Sequence, residues 1–236
     1  MAARRLSPCL CGFPITFTHY KISSEKAPER GVKILHVSDL HGKAFETDNK
    51  RLVKKAKKLA PDIIAVTGDI IHKYRPDDMA VALATVCWLS KVAPVYYVSG
   101  NHEMRSTRYR EFKRELEIAG ATVLDGEYRE VCGITVAGVN CAKIKSGGYC
   151  SLCCGEGFNL LLAHLPQYID KYALAGFDLT LCGHAHGGQW RLPFTHIGIY
   201  APGQGLFPKY ASGVHSCGNM RQVISRELVM IELEKE

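Results

Sequence analysis

The 236-residue chain contains no run of about 18 apolar residues, so no membrane-spanning helix is expected from it. It also lacks a clean apolar segment near its start. Leu6 to Phe17 is interrupted by Pro8, Gly12 and Pro14, which argues against a secretory signal. There is no internal repeat and no low-complexity tract. A content of 47% hydrophobic and 22% charged residues suits one globular domain with a real core, so residues 1–236 are expected to form a single domain. Aromatic and basic residues are not interleaved as in single-strand nucleic-acid binders, so no specific nucleic-acid binding is expected.

Acidic charge is in deficit. Lys and Arg number 30 against 23 Asp and Glu, a formal net charge of +7 that favours the approach of anions. Part of the excess is local, because Lys54, Lys55, Lys57 and Lys58 fall on one predicted helix. Cysteine is plentiful, at 10 residues. Without a secretory signal, the expectation is a reduced, cytoplasmic protein whose thiols are mostly small core hydrophobes. Cys150, Cys153 and Cys154 resemble half a zinc knuckle, but no second pair stands at a matching distance. Peripheral contact of Met1 to Pro14 with a membrane, and the oligomeric state, stay open.

The first half alternates between two periods. Buried strands are expected at Lys33 to Val37, Asp62 to Thr67 and Val95 to Val98, after an edge strand at Ile15 to Ile22. Helices are expected from Asn49 to Leu59, with Asp48 as cap, from Asp77 to Lys91, and from a Ser106 cap to Ala119. Strand and helix in alternation predict right-handed crossovers and a largely parallel sheet. The second half is richer in short strands: Thr122 to Leu124, Glu127 to Val131, Ile134 to Val139, Phe158 to Ala163, Leu179 to Cys182, Gln189 to Leu192, around Tyr210 to Val214, and Leu228 to Leu233. A helix is expected at Gln167 to Ala173, and Cys141 to Gly157 reads as a Gly- and Cys-rich loop expected to border the substrate cleft. Pattern alone gives an α/β fold with an added antiparallel part.

The polar residues that follow these strands carry the chemistry. Asp39 and His41 follow one strand, Asp69 the next, and Asn101, His102 and Glu103 the third. His164 follows a fourth, and Gly183-His184-Ala185-His186-Gly187-Gly188-Gln189 follows a fifth. In sheets of this kind the functional crevice lies beyond the carboxyl ends of the strands, so five endings of metal-ligating residues point at one place. His19, His36, His196 and His215 stand outside this pattern and read as surface or core residues.

Taken in order, these motifs resemble the calcineurin-like metallophosphoesterase superfamily, and the Gly-Gly-Gln ending resembles a bacterial phosphodiesterase branch of it. The resemblance implies a four-layer α/β/β/α sandwich of two mixed sheets flanked by helices. It implies two divalent metal ions, Mn2+ first, with Fe or Zn2+ as alternatives because ligand type does not choose among them. Asp39, His41 and His186 would hold the first ion, Asp69 would bridge, and Asn101, His164 and His184 would hold the second. A metal-bound hydroxide would attack phosphorus in line, and His102 would give a proton to the departing alkoxide. The implied substrate is a phosphate ester, either a small molecule or a lipid headgroup, and a phosphodiester before a monoester. A catalytically inactive scaffold of the same fold is the other class, and such scaffolds tend to lack the His that here follows Asn101. One position departs from the family: many relatives carry an orienting Asp three residues after the bridging one, and this chain has His72, which leaves open what orients His102.

Overall fold

The computed structural model describes residues 17–42, 49–72, 75, 78–150, 152, 155–191, 198–225 and 228–236. In chain order the strands are β1 (Thr18–Ser24), β2 (Val32–Val37), β3 (Ile63–Val66), β4 (Val95–Tyr97), β5 (Ala121–Val123), β6 (Glu127–Val131), β7 (Ile134–Gly138), β8 (Phe158–Leu162), β9 (Leu179–Cys182), β10 (Gln189–Arg191), β11 (Gly198–Ala201), β12 (Gly205–Leu206), β13 (Gly213–Cys217), β14 (Met220–Ile224) and β15 (Leu228–Lys235). The helices are α1 (Lys50–Leu59), α2 (Asp78–Leu89), α3 (Asn101–Met104), α4 (Tyr109–Ile118), α5 (Cys141–Ser146) and α6 (Ile169–Leu174).

Two mixed six-stranded sheets carry the fold. One runs in the order β1-β15-β2-β3-β4-β5, with β2 to β5 parallel and β15 antiparallel to β2. The other runs β13-β14-β9-β8-β7-β6, parallel from β14 to β7 with an antiparallel strand at each edge. The central strands are nearly continuous apolar runs because both of their faces are buried. Alternation then sorts the side chains. Ile34, Ile63, Leu160 and Leu179 pack in the cluster between the sheets. Their neighbours Leu35 and Ile64 pack under Leu52, Val86 and Phe112 of α1, α2 and α4. On the far side, Leu161 packs against Ile144 of α5 and Ile169 and Tyr172 of α6. The layers are helix, sheet, sheet, helix, as the resemblance implied. Among the described residues, no helix is long and apolar enough to cross a membrane.

Several local expectations need correction. The segment expected as a loop from Cys141 opens with α5, whose first turn is capped by the Asn140 side chain accepting from Ala142 N and Lys143 N at 2.9 Å each. Asn101 and His102 stand in the first turn of α3 rather than in a free turn. Ser106 does not cap α4; it lies in a short connection, and Arg108 occupies the cap position. The strand expected around Tyr210 begins at Gly213, and β11, β12 and β14 were not foreseen. Asp48, Cys9, Cys11, Cys153, Cys154, Phe194 and His196 lie outside the described residues.

His36 is a core residue, with no exposed surface and its Nε2 2.8 Å from Thr67 Oγ1. Burial pushes its pKa down to about 3. The folded state therefore binds fewer protons than the unfolded chain between that value and about 6.5, and stability falls as pH drops through this window. We predict that His36→Gln, which keeps a hydrogen-bonding side chain without the titration, removes up to about 3 kcal/mol of the stability lost between pH 7 and pH 4. Chemical denaturation across that range checks it; an unchanged pH dependence contradicts it.

Candidate metal centre

The site forms where the chain leaves β2, β3, β4, β8 and β9. Beyond β2 and β3 the two exit segments run side by side. Asp39 N donates to Gly68 O at 3.0 Å, His41 N to Asp69 O at 2.9 Å, and Gly42 N to Ile70 O at 2.8 Å. Five site residues hold left-handed backbone: Asp39 at φ 58°, His41 at 49°, Asp69 at 51°, His184 at 71° and His186 at 52°. Non-glycine residues rarely adopt this region, and such strain persists where the surroundings over-determine it, typically at functional sites.

Glycine makes the close approaches possible. A Cβ on Gly183 would lie 1.9 Å from Ser38 Oγ and 2.4 Å from Asp39 Oδ2, so only glycine lets the β9 exit lie against Asp39. Gly100 is packed as tightly, with its would-be Cβ 2.2 Å from Asp69 Oδ1. These contacts set the strand exits from the two sheets against one another.

Two triads result. The candidate ligand atoms of Asp39, His41 and His186 all lie within 4.8 Å of one another, and so do those of Asp69, His164 and His184. In the first, His41 Nε2 and His186 Nε2 face each other at 3.1 Å, with Asp39 Oδ1 at 4.0 and 3.7 Å from them. In the second, His164 Nδ1 donates to Thr67 O at 2.7 Å, which turns Nε2 toward Asp69 Oδ2 at 3.1 Å. A second hydrogen bond of this kind is what orients an imidazole for metal ligation. Asn101 lines the cleft, and its Oδ1 is buried with no hydrogen-bond partner among the described residues. A buried orphan carbonyl oxygen beside two carboxylate–imidazole triads fits a pair of divalent cations, which take oxygen and nitrogen ligands. All seven ligand residues proposed from sequence, together with His102, come together here. A third group, His41, Asp69 and His102, also lies within 4.8 Å, so proximity alone does not separate His102 from the ligands.

Electrostatics support the same use. Burial, the largest influence on Asp39, raises its pKa, while His164 and His186 pull the other way. Burial also opposes the charge on Asp69, but His164 and then His102 overcome it and hold the carboxyl well below its usual range. Burial acts against a charged His164 too, yet Asp69 lifts it to about 10. His184 is lowered to about 3 by burial and then by His164, which leaves it neutral with a free lone pair at neutral pH. Asp39 lacks enough neighbouring positive charge for comfortable burial, a deficit that a cation would remove, whereas Asp69 draws on a protonated His164 whose proton a cation would displace.

Glu103 has a role that the sequence did not reveal. Fully buried, its carboxylate accepts from Asp69 N at 2.9 Å, Gly100 N at 2.8 Å and Ile71 N at 3.2 Å, tying the β3 exit to the β4 exit. These three bonds direct it to the backbone and not to the His102 ring. Burial and then Asp69 push its pKa up to about 7. The ring of His102 instead meets His72 edge-on at 4.8 Å between centroids and His41 at 4.6 Å, while its backbone N–H donates to Asp69 Oδ1 at 2.8 Å.

The cleft beside the triads has a volume of about 330 Å3 and is lined by Asp69, Asn101, His102, His184 and His186 at one end. Arg105, Lys145, Gln167, Leu165, Pro202, Gly203 and Cys141 complete it; Cys141 and Lys145 belong to the segment expected to border the cleft, and the others were not expected from the sequence. The Cys141 thiol is pushed far up by burial and is inert as a nucleophile.

The sequence model for calcineurin-like phosphoesterases matches residues 32–188. The chain belongs to the calcineurin-like phosphoesterase family. Among curated members, the metallophosphoesterase YkoQ of Bacillus subtilis is 32% identical over 177 residues, covering 69% of this chain and 64% of YkoQ. The chain thus spans somewhat less than two thirds of that relative. The phosphodiesterase YaeI of Escherichia coli is 27% identical over 199 residues, 79% of this chain and 71% of YaeI. Among solved structures, TT1561 of Thermus thermophilus superimposes with a TM-score of 0.56 at 17% identity, over 82% of this chain and 88% of that one, a likeness of fold.

Glu103→Gln would set an amide N–H2 against a backbone N–H in a fully buried position. We expect it to cost about 1–3 kcal/mol in thermal or denaturant unfolding. Unchanged stability would mean that Glu103 does not tie the two exits together.

Proposed function

We propose that the protein is a metal-dependent phosphohydrolase that cleaves phosphodiesters, taking a phosphate-ester small molecule or lipid headgroup in its cleft. The observation that carries this reading is the meeting of two ligand triads at Asp69, at the end of a cleft that His102 also lines. In this reading Asp39, His41 and His186 would hold one divalent ion, Asn101, His164 and His184 would hold the other, and Asp69 would serve both. Mn2+ heads the candidates, with Fe and Zn2+ as alternatives. When bound, such a pair supplies Lewis acidity toward the phosphate oxygens and lowers the pKa of coordinated water.

The chain's own residues do the rest. With two carboxylates among seven ligands, the loaded site keeps net positive charge, because Asn101 ligates without adding negative charge. His102 lies 4.0 Å from Asp69 Oδ2 with its side chain partly open to the cleft, where it can hand a proton to the leaving oxygen. The backbone bond to Asp69 Oδ1 fixes its position, and the packed ring of His72 limits its rotation in place of the usual Asp. Leu165 and Pro202 offer apolar wall to the leaving group. The name of YaeI supports diesters over monoesters, and the intact Asn101-His102 pair argues against an inactive scaffold.

We predict that His102→Ala retains two bound ions by elemental analysis while turnover of diphenyl phosphate falls about 100-fold or more. The loss is smaller with bis(p-nitrophenyl) phosphate, because nitrophenolate departs without a proton. Near-normal rates on both esters remove His102 from the mechanism, and loss of an ion makes it a ligand.

A further inference from the structure

The cleft is larger than its metal end and carries charge that the reaction above does not use. Arg105 caps the C-terminus of α3, one turn beyond Asn101, and Lys145 lies in the last turn of α5. Both line the cleft, and both side chains are exposed to solvent. Neither makes an ion pair with a carboxylate among the described residues, although other surface cations do: Lys113 with Asp125, Arg108 with Glu111 and Lys26 with Asp178. Among the described residues Asp69 is the one carboxylate lining this cleft, and it belongs to the ligand cluster.

Two unpaired cations on a concave wall, one with a planar fork that matches phosphate geometry, form an anion subsite. We infer that Arg105 and Lys145 bind a second phosphate of the substrate, so that the ester cleaved here carries a further phosphate group beyond the scissile one. The inference rests on the proposed phosphohydrolase reading and narrows its substrate class. A diester with a single negative charge leaves this wall unused; a pyrophosphate-linked or phosphorylated ester fills both ends of the cleft.

AMP and ADP, which differ by one phosphate, test this as competitive inhibitors of bis(p-nitrophenyl) phosphate hydrolysis with Mn2+ in excess. ADP should inhibit the native protein about tenfold or more tightly than AMP. Arg105→Gln with Lys145→Gln should bring the two inhibitors within about twofold of each other, and Arg105→Lys with Lys145→Arg should keep the preference. Both side chains are exposed, so thermal melts should show the variants folded. An equal preference for ADP in the native and doubly neutralised proteins, or no preference in the native protein, overturns the subsite. If the protein hydrolyses no ester with any metal, calorimetric titration of AMP and ADP into the Mn2+-loaded protein makes the same comparison. Failure of the catalytic reading and failure of the subsite are then separate results.

Discussion

Everything in this protein that bears on chemistry depends on where the Asp69 carboxylate is held. It lies 3.1 Å from His164 Nε2 and 4.0 Å from His102 Nε2, and accepts the His102 backbone N–H at 2.8 Å. It therefore touches the exits of β3, β4 and β8 at once. Its own backbone N–H is held by Glu103, and its Oδ1 presses on Gly100 so closely that no Cβ fits there. If Asp69 moves by an ångström, its triad with His164 and His184 opens and its approach to His41 of the other triad is lost.

Holding it there is costly, and the fold is arranged to meet the cost. Left-handed backbone at non-glycine residues costs about 1–3 kcal/mol each, and two buried carboxylates add a desolvation penalty. The offsets are distributed. The apolar cluster between the sheets anchors β2, β3, β8 and β9 with Ile34, Ile63, Leu160 and Leu179. Beyond the strand ends, backbone bonds between the exits continue the ladder of β2 and β3 as far as Gly42. Strands buried on both faces are rigid platforms, and a site on their ends inherits that rigidity.

Much of this was legible from the sequence because strand runs and ligand residues are both local signals. Apolar runs ending in Asp39, Asp69, Asn101, His164 and His184 marked the sheets and the site together. What escaped depends on partners distant in sequence. Glu103 looked like a neighbour of His102, yet its carboxylate serves the backbone of Asp69 and Ile71, more than 30 residues earlier. Arg105 carries no motif, and only folding brings it to the cleft that the segment bearing Lys145 was expected to border. Other misses left readable marks. Asn140 as a cap and Gly147 in left-handed backbone bound α5, and Gly218-Asn219 is a two-residue hairpin turn of the favoured kind joining β13 to β14. The Gly- and Cys-rich composition around α5 hid the first, and the lack of any buried residue in β13, which leaves no apolar run, hid the second.

A crystal soaked in Mn2+ and measured for anomalous scattering tests the central claim most directly. Two peaks about 3.5–4 Å apart are expected, with Asp69 between them, Asp39, His41 and His186 on one, and Asn101, His164 and His184 on the other. A single peak, no peak at Asp69, or a peak bound by His102 in place of those residues would contradict it.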